Sequence, residues 1–225
     1  MDKRFLGILA GLAAIFIAIA VMASGSGGKS TSGGPQATNH VMGGGQKAVT
    51  LIEYGDYQCP VCEAYYLPVK QAVAQYLPDI HFQFRNLPLV SVHPNAFSAA
   101  RAAEATGLQN KYWEMHDMLY EASNWRQWTT NNNPLSLFDA YAKQLGLNVE
   151  QFKKDYFASK VNDAINADLA AFKKTGKDQA TPTFFLNGTA LNNPDLIDST
   201  TGPSADKIGA VIKAEIDKKN TSNKN

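Results

Sequence analysis

The chain has 225 residues, enough for one domain of ordinary size plus appendages, and its 44% hydrophobic and 18% charged content is that of a globular protein. Twenty-one basic residues face twenty acidic ones, for a net charge of +1. That balance excludes the basic face a nucleic-acid partner requires, and pairs such as Lys153-Lys154, Lys173-Lys174 and Lys218-Lys219 read as solvated helix surface.

Residues 1–4 are polar, and an apolar run from Phe5 to Ala23 follows, 19 residues without a charge. As a helix it would cross the ~30 Å hydrocarbon core of a membrane. Lys3 and Arg4 on its N-terminal flank leave residues 1–4 in the cytoplasm and send the rest outside. The run exceeds the ~7–15 residues of a cleaved signal-peptide core, which favours an uncleaved transmembrane signal-anchor, although Ala18-Ile19-Ala20 and Val21-Met22-Ala23 are tolerable cleavage sites. Either reading puts the folded part in an extracytoplasmic compartment, and the anchor reading holds it at the cell membrane by a single pass. Residues 24–46 are rich in Gly, Ser and Thr and read as a flexible linker spanning ~25–30 Å.

Ala48 to Glu53 has the pattern of a short buried strand ending in a carboxylate, broken by Gly55-Asp56. A helix opens at Cys59 and runs to about Tyr76, with a kink or break expected at Pro68. Ile80, Phe82 and Phe84 alternate with His81, Gln83 and Arg85 as a second strand, so the three elements suggest a parallel βαβ unit. Helical signals alone occupy about 91–176: alanine-rich Asn95 to Thr106, Lys111 to Ala122, a helix capped by Asn133 with Pro134 at its first position, and a capping-box pattern at Asn148 and Gln151 before the face of Val161, Ile165, Leu169 and Phe172. Thr183 to Leu186 and Thr189 to Leu191 flank Asn187-Gly188, a hairpin signal. A last helix spans about Ser204 to Lys218 with Ile208, Ile212 and Ile216 inward, and 219–225 is a polar tail.

The chain contains two cysteines, Cys59 and Cys62. A structural disulfide across so small a loop would stabilise little. A zinc site needs further ligands, and His40, His81, His93 and His116 show no ligand spacing, so no metal is expected. What remains is a redox pair. The motif follows a strand and opens a helix, where backbone N–H groups and the helix dipole favour a thiolate at Cys59. Thr181-Pro182, just before a strand, suits a cis peptide bond and an exposed backbone edge for an extended substrate segment. Glu53, six residues before Cys59, is either a strand-end surface acid or a buried carboxyl that relays protons.

The stretch Glu53-Tyr54-Gly55-Asp56-Tyr57-Gln58-Cys59-Pro60-Val61-Cys62, the helical stretch after it, and Thr181-Pro182-Thr183-Phe184-Phe185-Leu186-Asn187-Gly188 together resemble the DsbA family of thioredoxin-like thiol–disulfide oxidoreductases, and more narrowly its membrane-anchored Gram-positive type. The resemblance covers residues 47–218. It implies an α/β thioredoxin fold with an inserted all-helical domain, Cys59 as exposed nucleophile, Cys62 as buried resolving partner, Pro182 as the cis proline, Glu53 as the buried acid, and Thr181 beside them. It implies no cofactor beyond the Cys59–Cys62 disulfide itself. Substrate contacts are expected from Tyr57, Pro60, Val61 and Thr181, with Tyr65 and Trp113 as further apolar candidates. The implied activity is disulfide introduction into exported cysteine-containing proteins by a monomer, reoxidised by a quinone-linked membrane partner of the DsbB or vitamin K epoxide reductase (VKOR) type. A reductase or isomerase of the same fold is the alternative, and a non-catalytic binding module or a metal-delivery protein are more distant rivals. Val61 stands where the best-known members have histidine, so Cys59 is expected to be a less depressed thiol than theirs.

Overall fold

Strand β2 (Val49–Gly55) lies at the middle of a five-stranded sheet, and the functional candidates hang from its C-terminal end. The structure is a computed structural model describing residues 36–222. Sheet order is β1-β3-β2-β4-β5, with β1 at Val41–Met42, β3 at Ile80–Asn86, β4 at Thr183–Leu186 and β5 at Thr189–Ala190. β2 and β3 run parallel, connected by helix α1 (Pro60–Tyr76), while β1, β4 and β5 are antiparallel to their neighbours. The expected βαβ unit and hairpin are both present. In β3 the alternation is clean: Ile80, Phe82, Phe84 and Asn86 are buried and the residues between them half-buried.

Six helices separate β3 from β4: α2 (Ala96–Gly107), α3 (Tyr112–Tyr120), α4 (Ala122–Thr129), α5 (Leu135–Gln144), α6 (Val149–Tyr156) and α7 (Ser159–Lys173). The chain ends its described part with a small sheet of β6 (Ile197–Asp198) and β7 (Gly202–Pro203), then α8 (Ala205–Ser222). This is a thioredoxin fold carrying an all-helical insertion. Its core has two characters. Where α1 and α8 cover the sheet the packing is largely aliphatic, built on Val49, Leu51, Val69, Val73, Ile80, Ile208, Ile212 and Ile216. In the insertion, alanines on α2 (Ala99, Ala100, Ala102, Ala103, Ala105) let neighbouring helices approach around Trp128, Phe138, Phe152 and Tyr120. Cys59 and Cys62 belong to this second cluster.

Several expectations need correction. Residues 36–46 are not leash: Val41 and Met42 pair with Gln83 and Phe82, Thr38 donates through its N–H (2.7 Å) and its hydroxyl (2.7 and 3.0 Å) to Asp168, and His40 meets Glu104 at 2.8 Å. The reason lies in partners far along the chain. Asp168 and Glu104 are buried carboxyls bridged by Asn86, and the N-terminal segment completes their hydrogen bonding. Among the described residues no helix is long and apolar enough to cross a membrane; the anchor expected at 5–23, on which the single-pass assignment rested, lies outside the described residues, as does linker 24–35. The polar tail is helical as far as Ser222. α1 runs through Pro68 as one helix, because a single missing N–H is outweighed by the packing of Val69, Ala72 and Val73. Pro134 is the N-cap of α5 rather than its first helical residue, and α4 carried no recognised signal.

Candidate active site

Three separate pieces of chain build the site. Strand β2 ends at Gly55, and Asp56 turns the chain so that the Cys59 N–H donates to the Asp56 carbonyl at 3.0 Å. Cys59 is then the N-cap of α1 in extended conformation, Pro60 opens the helix, and Cys62 lies within its first turn. The third piece is the loop before β4, where the Thr181–Pro182 bond is cis, as expected, and the Cys59 thiol donates to the Thr181 carbonyl at 3.5 Å.

Both cysteines are free thiols here, so this is the dithiol form. Cys62 is fully buried, and Cys59 keeps only 5% of its surface, less than the exposed nucleophile implied by the resemblance. Pro60 is exposed and Val61 is 48% exposed, so the approach to the Cys59 sulfur runs past them and Thr181. The two thiols are held in opposite states. The Cys59 pKa is lowered to about 5, chiefly by a hydrogen bond from the Cys62 thiol, with the Thr181 hydroxyl and the backbone N–H groups of Cys62 and Val61 adding to it against the opposing effect of burial. The Thr181 hydroxyl is buried and makes no hydrogen bond of ordinary geometry with any described residue, so its effect on Cys59 is that of a nearby dipole. Burial pushes the Cys62 thiol well up, and the neighbouring Cys59 and Glu53 charges push the same way.

Glu53 is buried, in register between Phe84 of β3 and Phe184 of β4. No hydrogen bond from a described residue reaches its carboxyl, and desolvation raises its pKa from 4.5 to about 8. The surface-acid reading is thereby excluded. Gly55 keeps this floor closed, since a Cβ there would stand 2.4 Å from Phe84 Cε2 and 3.4 Å from Glu53 Oε1.

Tyr57 is not a substrate contact. It is 1% exposed, its hydroxyl donating to Tyr112 (3.2 Å) and lying 3.1 Å from His116 Nδ1 amid Phe84 and Tyr120. Tyr65 is buried likewise, and Trp113 packs on Phe82 and Tyr112. The motif's first aromatic turns inward because the insertion closes over it, Trp125 Nε1 donating to the Tyr57 carbonyl at 2.8 Å.

Residues without an assigned role prove to hold the motif in place. The buried Asp56 accepts from Gln58 N (2.7 Å) through Oδ1, and from Leu89 N (2.8 Å) and His93 Nδ1 (2.7 Å) through Oδ2. Gln58 accepts from Asn95 N at 2.6 Å and donates to the Thr129 carbonyl at 3.0 Å. Together they tie the cysteine turn to the loop after β3, which carries Val90 and Val92, 57% and 66% exposed. Only the short spacing of Asp56 and Gln58 from Cys59 could have pointed to this clamp; His93 and the two valines gave no signal.

The family model described as thioredoxin matches residues 36–202 of the chain. Among solved structures, the chain resembles the oxidised BdbD of Bacillus subtilis (20% identity, TM-score 0.62, 82% of this chain and 97% of that one) and α-DsbA1 of Wolbachia pipientis (18%, 0.66, 84% and 96%). A thioredoxin-like oxidoreductase from Silicibacter pomeroyi is similar at 24% identity and a TM-score of 0.60, over 80% of this chain and 91% of that one. The curated relatives bear another name. Na(+)/H(+) antiporter NhaA 1 of Mycolicibacterium gilvum is 34% identical over 163 residues, and that of Salinispora arenicola 35% over 156, covering 69% and 67% of this chain. The chain spans about a quarter of the length of these relatives (24% and 22%), so the antiporter name describes proteins it matches only in part. These names differ from the membrane-anchored DsbA-like description expected from the sequence. The chain belongs to the thioredoxin family, and its fold is that of the DsbA-type thiol–disulfide oxidoreductases.

Proposed function

We propose that the chain is a thiol–disulfide oxidoreductase that passes a Cys59–Cys62 disulfide to cysteine-containing proteins, exported chains among them. The observation that carries this reading is the split between the thiols: Cys59 lowered to about 5 at a helix start, Cys62 raised and fully buried behind it. A substrate thiolate attacks the Cys59 sulfur and breaks the Cys59–Cys62 bond, leaving a mixed disulfide and a Cys62 thiolate. A second substrate thiolate then attacks the substrate sulfur, and Cys59 leaves as a thiolate. Cys62, whose charged form is disfavoured, takes up a proton, and Glu53 is the adjacent buried group with a proton to give near neutral pH. The substrate backbone lies along Thr181–Pro182, with Pro60, Val61, Val90 and Val92 offering apolar contact. The exchangeable disulfide is the only carrier the reaction requires, the protein acts as a monomer, and reoxidation falls to a quinone-linked enzyme of the DsbB or VKOR type.

The test is the redox equilibrium of the pair with glutathione, run beside oxidative refolding of a reduced model protein. A potential well above thioredoxin's ~−270 mV, with refolding accelerated, is expected; a value near thioredoxin's, with no acceleration, would make the chain a reductase instead. Cys62→Ser should accumulate mixed disulfides through Cys59.

A further inference from the structure

Behind the cysteines, between α1, α3 and the sheet, lies a cavity of about 140 Å³. Its walls are mostly apolar, with the rings of Phe82 and Trp113 beside Val73; His116 and Tyr120, whose buried hydroxyl has no partner among the described residues, also line it, and its solvent end carries the half-exposed Lys70–Asp117 ion pair (2.7 Å). Glu53 lines it too, 3% exposed and with no hydrogen-bond partner for its carboxyl among the described residues. An apolar cavity of about 150 Å³ is large enough to take up a benzene-sized molecule. A bare carboxyl in the lining adds a demand that benzene does not meet, because a buried polar group without a partner costs about 1–3 kcal/mol.

We propose that this cavity is a binding site for a planar, single-ring aromatic molecule carrying an N–H donor next to a ring-nitrogen acceptor, an aminoazine, with Glu53 as its polar anchor. The walls select a flat ring. A carboxyl presents one donor and one acceptor when protonated and two acceptors when ionised. An aminoazine matches both states, since it accepts the acid's proton or arrives with its own, and the buried pair is net neutral either way. A charged ligand facing a neutral acid, or a neutral ligand facing a carboxylate, would leave an uncompensated charge in an apolar site. The site goes beyond the thiol chemistry and its occupancy is read without any redox reaction, so failure of the oxidase reading leaves it standing.

The probe is 2-aminopyridine, with toluene as a ring of similar size lacking the polar edge. Each is titrated into the full-length reduced protein while the Trp113 indole N–H resonance is followed. Binding of 2-aminopyridine at least tenfold tighter than toluene is expected. Glu53→Met keeps the side-chain length without the carboxyl and should abolish that preference. Ala74→Trp, at the exposed rim, should block both ligands without touching the core. Equal affinity of the two probes, a preference that survives Glu53→Met, binding unaffected by Ala74→Trp, or no shift of Trp113 up to the solubility of both would each overturn the proposal.

Discussion

Two carboxyls three residues apart, Glu53 and Asp56, are both buried beside the cysteines, and the fold treats them in opposite ways. Asp56 has a satisfied carboxylate, three donors holding it within 2.7–2.8 Å. Glu53 sits between two phenylalanines with no donor among the described residues, beside a mostly apolar cavity. A buried acid surrounded by donors is a structural tie, keeping two loops together whatever the chemistry does. A buried acid stripped of donors keeps its proton near neutral pH and can give it up. Difference in role thus follows from the neighbours of each carboxyl and not from residue type or depth.

The comparison breaks most completely if the sulfur it serves is dispensable. Cys59→Ser should abolish dithiol–disulfide exchange outright, measured by turnover of a reduced model substrate, while Cys62→Ala, which removes the donor, should leave a single thiolate whose absorbance midpoint moves upward from about 5, since the Cys62 thiol is its main stabiliser. Glu53→Gln separates the two acids by pH. The folded pKa of Glu53, about 8, stands above its ordinary 4.5, so in that interval the folded chain holds a proton the unfolded chain has released. Stability therefore falls as pH rises from about 4.5 to about 8, and the full loss, on the order of 5 kcal/mol, is present above that. Urea unfolding of the reduced protein from pH 5 to 9 should show Glu53→Gln gaining on the parent across this window. Cys59 contributes the opposite slope between about 5 and its ordinary 9, but equally in both proteins, so it cancels in the difference.

Asp56→Ala should cost about 2–4 kcal/mol in the same assay, because it orphans backbone donors of Gln58 and Leu89; no measurable loss would collapse the distinction. Gly55→Ala tests the floor between them. Its Cβ would press on the Phe84 ring, at a cost of about 1–3 kcal/mol in the same unfolding assay. Smallest of all is Lys70→Ala at the cavity mouth, where the ion pair with Asp117 is half-exposed and should contribute under about 1 kcal/mol.

Much of the frame was legible in local pattern. Alternation in β3, the Asn187-Gly188 turn, Asn148 capping α6 (Oδ1 accepting from Gln151 N at 3.0 Å) and the isoleucine face of α8 are signals carried within a few residues. The cysteine pair was legible for the same reason: spacing, a strand before it and a helix after it. What failed to show was decided at long range. Val41 and Met42 look like linker until β3 offers an edge, and His40 and Thr38 look like solvent residues until Glu104 and Asp168 are brought under them. Tyr57 reads as a surface aromatic beside a redox motif and is instead enclosed by residues 55 and 59 positions downstream.

The order of residues alone pointed to one cysteine pair at a helix start, in a βαβ unit followed by a helical insertion. That much depends on backbone periodicity and on which residues can begin or end an element. Only the tertiary structure decided which groups near that pair are charged. Burial of Glu53 between Phe84 and Phe184, the donors gathered on Asp56 and the Thr181 hydroxyl beside Cys59 all come from segments distant in sequence. Ionisation depends on solvent exclusion and on partners in space, and neither is encoded at any single position.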